Sequence, residues 1–310
     1  MVLYLAKRAA FSVVAFLAVT VIAFVVFHVL AQLPTQGAPP LVEQYWDFLK
    51  ELVLHGSLGA AFFGGRDITH LVLQLFPVTA GVVAGGMLIW LAISIPLGIL
   101  SAVRARSFVD RSVMAVTMLT FCVHPIVIGL ALSYLVGYKL GLTPIADYCE
   151  AFSPPPGARC GGVTAWASHL VLPWVTVGIM FSAVYTRMLR SSILDELTHE
   201  YVRTARAKGA TEARVLVRHV LRNVLLTLVT MLGMDVGLVL GAALYVEVVF
   251  GLPGLGNVAW QSIGREDWPV LQGIVIFTSL IVIAANLVVD LVYALLDPRV
   301  RVRAGASASS

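Results

Sequence analysis

The sequence predicts an all-α membrane protein of six transmembrane helices with both termini in the cytoplasm, on three observations. Of its 310 residues 59% are hydrophobic and only 12% charged, about half the charge of a typical soluble domain. The apolar residues gather into six runs, at 10–31, 78–103, 113–137, 169–189, 224–249 and 271–296, each near the roughly 20 residues that a bilayer requires. The basic residues fall on alternate sides of those runs, as the positive-inside bias demands.

The first run follows Lys7 and Arg8, as a signal peptide's would. It is too long for an h-region of roughly 7–15 residues and no small-residue cleavage site follows, so it reads as a first transmembrane helix. With the N-terminus inside, the inner segments 1–9, 104–112, 190–223 and 297–310, together with the helix-end Arg187, hold 16 of the 21 basic residues. Only Lys50, Arg66, Lys139, Arg159 and Arg265 lie elsewhere.

The outer segments differ from one another. Within 32–77, "VEQYWDFLKELV" sets Tyr45, Phe48, Leu49 and Leu52 at helical spacing, which predicts an amphipathic helix lying at the interface. Segment 138–168 contains "DYCEAFSPPPGARCGG", where three prolines preclude a regular helix. Segment 250–270 shows turn signals at Pro253-Gly254 and Gly256-Asn257. The sequence divides into 1–77, a first helix plus outer segment; 78–303, the remaining transmembrane domain with a cytoplasmic loop at 190–223; and a small, polar, disordered tail at 304–310. Cys149 and Cys160 share one outer loop, where an oxidising compartment permits a disulfide; two free thiols are the alternative. Cys122 reads as a small buried hydrophobe of the third span.

Several function classes are excluded or disfavoured. The four lysines are followed by Arg, Glu, Leu and Gly, so none can serve in a P-loop, which needs Lys followed by Ser or Thr. The seven histidines show no metal-ligand spacing, and His124-Pro125 reads as a polar kink in the third span. A net charge of +4 suggests nucleic acid only until its placement is considered; no nucleic-acid partner is expected. No nucleophile, base and orienting acid stand in a recognisable arrangement, so an enzyme is not expected.

Acids inside the spans carry more information. Asp235 lies near the middle of the fifth run, where a carboxylate costs about 2.5–3.5 kcal/mol on insertion scales. It either fixes helix register through a hydrogen bond or borders a wet pathway, and the sequence leaves both open. Asn286 and Asp290 stand four apart on one face of the sixth run, nearer the inside, where packing is favoured. Glu247 is expected near the outer interface, within easy reach of water.

The loop "EYVRTARAKGATEARVLVRHVLRN", Glu200 to Asn223, holds six basic residues in 24 positions: Arg203, Arg206, Lys208, Arg214, Arg218 and Arg222. Gly209-Ala210 divides it into two expected helices, about Ile193–Lys208 and Glu212–Asn223. Along the first, Ile193, Leu194, Leu197, Tyr201 and Ala205 form an apolar stripe. Thr211 can cap the second, and Glu212 suits its positive end. Topology-setting charge explains the arginines but not the helix–glycine–helix form or the small Ala205, Ala207 and Gly209. A short helix docked into a partner's groove explains both.

These residues resemble the cytoplasmic EAA-type loop of binding-protein-dependent ABC importer permeases, and "YVRTARAKGA…VRHVLRN" is most similar to the peptide branch. The likeness continues in "EVVFGLPGLGNVAWQSIGREDWPVLQG" and "NLVVDLVYALLDPRVR", covering most of 169–303. It implies a type I ABC importer permease-like bundle in a prokaryotic cytoplasmic (inner) membrane, importing dipeptides or oligopeptides by alternating access. It implies as partners a homologous second permease, two ABC ATPase subunits that use ATP and Mg, an extracytoplasmic peptide-binding protein and the lipid bilayer, with no cofactor in this chain. The loop would be the coupling helix that sits in a cleft of an ATPase subunit. By resemblance its ATPase-coupling residues are Leu197, Glu200, Tyr201, Arg203, Thr204, Ala205, Arg206, Ala207, Lys208 and Gly209, with Arg203 where the wider motif has glutamate. Three departures stand out: Thr227 where the branch tends to proline, "AQLPTQGAPP" after the first span, and the "SPPPGARC" insert. The same architecture carrying a nickel chelate, glutathione or haem is the alternative cargo reading. An intramembrane enzyme using Asp235 and Asp290, or an anchor whose basic loop binds anionic lipid, are the alternatives of other classes.

Overall fold

A computed structural model describes residues 2–30, 39–151 and 160–296. Most of the "AQLPTQGAPP" and "SPPPGARC" departures and the 304–310 tail lie outside the described residues. What is described is almost wholly helical. In order come α1 (Val2–Leu30), α2 (Leu41–Lys50, prolonged by a wide turn over Glu51–His55), α3 (Ile68–Val103), α4 (Phe108–Cys122) and α5 (Pro125–Leu132, prolonged to Lys139). Then follow α6 (Val163–Leu197), α7 (Glu200–Ala207), α8 (Glu212–Arg214), a wide-turned stretch Val215–Val220, α9 (Leu221–Phe250), α10 (Leu255–Arg265) and α11 (Trp268–Leu296). Among the described residues five segments are long and apolar enough to cross a membrane: Arg8–His28, Ile68–Val103, Val163–Leu197, Glu212–Phe250 and Trp268–Leu291.

A sixth candidate is the pair Phe108–Cys122 and Pro125–Lys139, bent by 102°. The kink expected at His124-Pro125 is therefore a full break. Proline disfavours the helical conformation of the residue before it, and His124 is extended at φ −66°, ψ 143°. Its Nδ1 accepts the Ile126 N–H at 3.3 Å, which gives α5 a fresh N-cap in place of a continued helix.

Two further expectations are corrected. The sequence predicts the first loop helix over about Ile193–Lys208, but Ile193–Leu197 is the end of α6, and Thr198-His199 separates it from α7. The Thr198 hydroxyl donates to the Asp195 carbonyl at 2.7 Å, and His199 turns extended at ψ 147°; together they end one helix and start another. The turn expected at Gly256-Asn257 lies inside α10. Gly256 serves close packing: a Cβ there would collide with the backbone of Leu244.

The described chain forms two compact units. One takes residues up to 80, 236–244 and from 253 onward. Its core gathers Ala61, Ile68, Val72, Leu255, Val270 and Ile274, and Phe76 meets Phe277 edge-on at 5.3 Å. The amphipathic α2 packs inward: Phe24 of α1 lies 5.5 Å from the Tyr45 ring and 5.9 Å from Phe48. The Tyr45 hydroxyl shares a hydrogen with buried Thr20 at 3.0 Å. A polar group inside an apolar helix needs such a partner, so the α2 face meant for an interface also satisfies α1.

The other unit takes 81–235 and 245–252, with α6 at its centre. Leu170, Val177, Tyr185, Leu189 and Ile193 are buried along α6. The Trp174 indole N–H donates to the Gly81 carbonyl at 2.9 Å, and Trp90 of α3 stacks on Phe181 at 4.9 Å. An ion pair between a buried carboxylate and a half-buried guanidinium links three helices. Asp110, 3% exposed, accepts from Arg190 Nε at 2.6 Å and Nη2 at 2.7 Å. It also accepts from the buried Ser101 hydroxyl at the end of α3 and from the Arg106 N–H at 2.8 Å.

Removing one partner of a buried pair strands the other charge, at about 3–5 kcal/mol. Arg190→Gln, which strands the buried Asp110 carboxylate, should therefore lower the thermal unfolding midpoint of the detergent-solubilised chain, by about 3 kcal/mol in stability. The double change Asp110→Asn with Arg190→Gln, which strands no charge, should lose less than the sum of the two single changes.

Candidate functional site

The 190–223 loop is built from short, mutually braced pieces. α7 has eight residues, too few to hold helical form in water without tertiary support. Val202 supplies some of it by being fully buried. The rest is polar. The Tyr201 hydroxyl donates to the Glu196 carboxylate, and the Asn223 amide donates to the same carboxylate at 2.6 Å and to the Tyr201 oxygen at 3.1 Å. One acid near the end of α6 thus gathers a residue of α7 and one of α9. Burial and the Glu196 carboxylate push the Tyr201 hydroxyl up to about 12, so it stays a neutral donor throughout the physiological range.

A second brace closes the far side. Arg206 grips Glu212 with both nitrogens, Nε at 2.8 Å and Nη2 at 3.0 Å. Between them Gly209 takes φ +80°, a left-handed angle that other L-residues reach at roughly 1–2 kcal/mol. Thr211 caps the next helix by accepting the Arg214 N–H at 3.4 Å. Of the residues singled out from the sequence, Glu200, Tyr201, Arg203, Thr204, Arg206, Ala207, Lys208 and Gly209 are exposed, while Leu197 and Ala205 are half-buried. Arg203 bonds Glu200 at 3.2 Å along the helix. From Glu212 the helix runs on to Phe250, so the second loop helix and the fifth span are one element, with Thr227 inside it.

The membrane acids separate by environment. Asp235 is half-buried and accepts the Tyr185 hydroxyl at 2.8 Å. Tyr185 itself is fully buried against Trp90. Asp290 pairs with Arg8 at 2.9 Å, joining α11 to α1, and Asn286 one turn earlier is exposed. Glu247 corrects the expectation of easy access to water: it is fully buried. It shares its face of α9 with buried Ala243 and Phe250, so the last turn of α9 is covered although it lies at a helix end. Cys149 and Cys160 are joined as a disulfide, Cα atoms 5.6 Å apart. Cys122, expected to be buried, is exposed at the end of α4, beside the break.

Sequence reasoning did not single out Glu196, Asn223, Ser101, Asp110 or Arg190. A signal existed for Asp110: Ser107 three residues before it marks a helix start, and Ser107 Oγ does accept the Asp110 N–H at 3.3 Å. Nothing in the spacing pairs Asp110 with Arg190, 80 positions away.

Long apolar helices with acids inside them and a braced, exposed loop suit a transport permease, and the likeness to known proteins agrees. Residues 94–302 match the family described as binding-protein-dependent transport system inner membrane component. The chain belongs to that family. It is 34% identical over 274 residues to the di/tripeptide transport system permease protein DppB of Pseudomonas aeruginosa, covering 84% of this chain and 81% of the relative. It is likewise 34% identical over 262 residues to the glutathione transport system permease protein GsiC of Pectobacterium atrosepticum, covering 84% and 80%. In fold it is similar to a chain of the inward-facing MetNI methionine ABC transporter, with a TM-score of 0.57 and 16% identity over 73% of this chain and 96% of that one.

The Glu196 hub makes a local prediction. A hydrogen bond to a charged, partly exposed group contributes about 1 kcal/mol, so Glu196→Gln should speed amide exchange across residues 200–207 about fivefold. Exchange in α3 should be unchanged, which hydrogen–deuterium exchange mass spectrometry can read peptide by peptide.

Proposed function

We propose that this chain is a permease subunit of an ABC importer for dipeptides or oligopeptides, with six spans and both termini on the cytoplasmic side of a prokaryotic inner membrane. It forms the translocation pathway together with a homologous second permease. An extracytoplasmic binding protein delivers the peptide, and two separate ATPase subunits hydrolyse ATP with Mg. The peptide cargo rests on the likeness to the DppB relatives. Glutathione, itself a short peptide and the cargo in the name of the GsiC relative, is the second reading.

The observation that carries the coupling role is α7: a short helix whose side chains are exposed apart from Val202 and Ala205, held at both ends by side-chain braces. An isolated helix of this length does not persist by propensity, so the braces preorganise a surface that stays exposed among the described residues. Preorganisation lowers the ordering cost of docking. Motion of a docked α7 reaches α6 through Glu196 and α9 through Asn223. Asp235, half-buried and oriented by Tyr185, borders the wet pathway, where a fixed carboxylate attracts the ammonium end of a passing peptide.

Two predictions test this reading. Ala205→Glu, or Gly209→Val with its strained turn, should release ATPase subunits during co-purification, whereas Arg218→Gln should retain them; loss that tracks only the number of positive charges would favour lipid or generic electrostatics. In proteoliposomes with the binding protein, Asp235→Asn should reduce peptide transport and peptide-stimulated ATPase activity several-fold. Unchanged rates would assign Asp235 to helix packing alone.

A further inference from the structure

The outer-loop cysteines meet a third group for which transport has no use. Cys149 is 1% exposed, Cys160 and His169 are half-buried, and the Cys149 sulfur lies 3.6 Å from His169 Nε2. His169 sits on the second turn of α6, and its Nδ1 stands 2.8 Å from the Ala165 carbonyl. A carbonyl oxygen only accepts, so Nδ1 carries a hydrogen, and the Nδ1–H tautomer leaves Nε2 its lone pair. That lone pair faces the sulfur. Metal-bound histidines are held in the same manner, one ring N–H tied to a backbone carbonyl and the other nitrogen presented to the ion.

The spacing agrees with such a role. Zinc binds sulfur at about 2.3 Å and imidazole nitrogen at about 2.0 Å, so two such ligands at a tetrahedral angle stand about 3.6 Å apart. That is the Cys149–His169 separation already present. All three ligand atoms lie within 4.8 Å of one another. In a bound site the two sulfurs would stand about 3.8 Å apart, which side-chain rotation can supply across Cα atoms 5.6 Å apart. Two thiolates and an imidazole form a soft donor set that suits zinc(II) or copper(I) over magnesium or calcium.

We propose that Cys149, Cys160 and His169 form a redox-gated site for a soft d10 metal ion, of which the disulfide is the closed state. Opening takes two electrons and two protons from a dithiol reductant, which leaves as its own disulfide, and gives two cysteine thiols. Metal entry releases both thiol protons, forms two metal–sulfur bonds and one metal–Nε2 bond, and leaves the fourth tetrahedral position to solvent. Reoxidation by a disulfide-bearing oxidant moves two electrons from the two thiolates to that disulfide, which takes up two protons and leaves as a dithiol; the Cys149–Cys160 bond re-forms and the ion is expelled.

The test uses the full chain in detergent or nanodiscs, with Cys122→Ala in every arm so that only this pair reports. The protein is reduced anaerobically, freed of reductant and titrated with zinc alone against a chromophoric chelator. About one zinc per chain should be held after reduction and none before it, and zinc should shield Cys149 and Cys160 from alkylation. His169→Ala should weaken binding tenfold or more while both thiols remain titratable; His169→Gln serves if the alanine variant does not fold. The joint change of Cys149→Ser and Cys160→Ser should abolish binding. The proposal is overturned if the reduced chain holds no zinc, if the oxidised chain holds as much, or if the histidine variants bind with unchanged affinity.

Discussion

The bidentate pair between Arg190 and Asp110 constrains the half of the molecule that carries the candidate coupling loop. A carboxylate at 3% exposure must be compensated on nearly every lone pair, and here four donors from three chain segments do so. Ser101 lies in the last turn of α3, Arg106 belongs to the following turn, Asp110 opens α4, and Arg190 lies about two turns before the end of α6. The ends of these helices therefore cannot move separately without exposing or stranding a charge. α7 follows directly on the element so held, and through Glu196 it is tied to α9 as well. On the proposed coupling role, a displacement of α7 would be passed on as a movement of a block through these bonds.

The acids of the spans show how one residue type takes different roles by context. Asp290 has a cation within reach and joins two helices. Asp235 accepts the Tyr185 phenol, which orients it. Glu247 is enclosed entirely. Insertion cost alone treats the three as equal in kind; the partner that each neighbouring helix presents separates them. The aromatic ladder of Trp90, Phe181 and Tyr185 belongs to the same account, since it holds rigid the hydroxyl that orients Asp235.

Much of the architecture was legible in the sequence because a bilayer imposes a long, local and nearly one-dimensional code. Five of the six expected runs lie within or largely overlap one helix; the third divides between α4 and α5, and its break at Pro125 follows from the proline ring itself. Legibility stopped where two distant segments had to recognise each other. The interruption at Thr198-His199 depends on a threonine bonding its own turn and on Tyr201 folding back to Glu196, for which the apolar stripe through Leu197 and Tyr201 gave no warning. Gly256, which reads as a turn, is a helix residue because Leu244 of α9 comes too close for any side chain.

The sequence by itself determined the class of protein, the existence and approximate extent of the spans, the absence of a P-loop and the place of the basic loop. All of these are set by composition, periodicity and motif within a short stretch of chain. Only the tertiary structure decided which residues brace that loop, which acids are enclosed, how the third apolar run bends, and that His169 turns its free nitrogen toward the cysteine pair. Those outcomes depend on distances between residues far apart in the chain, which the packing of long helices sets and no local pattern encodes.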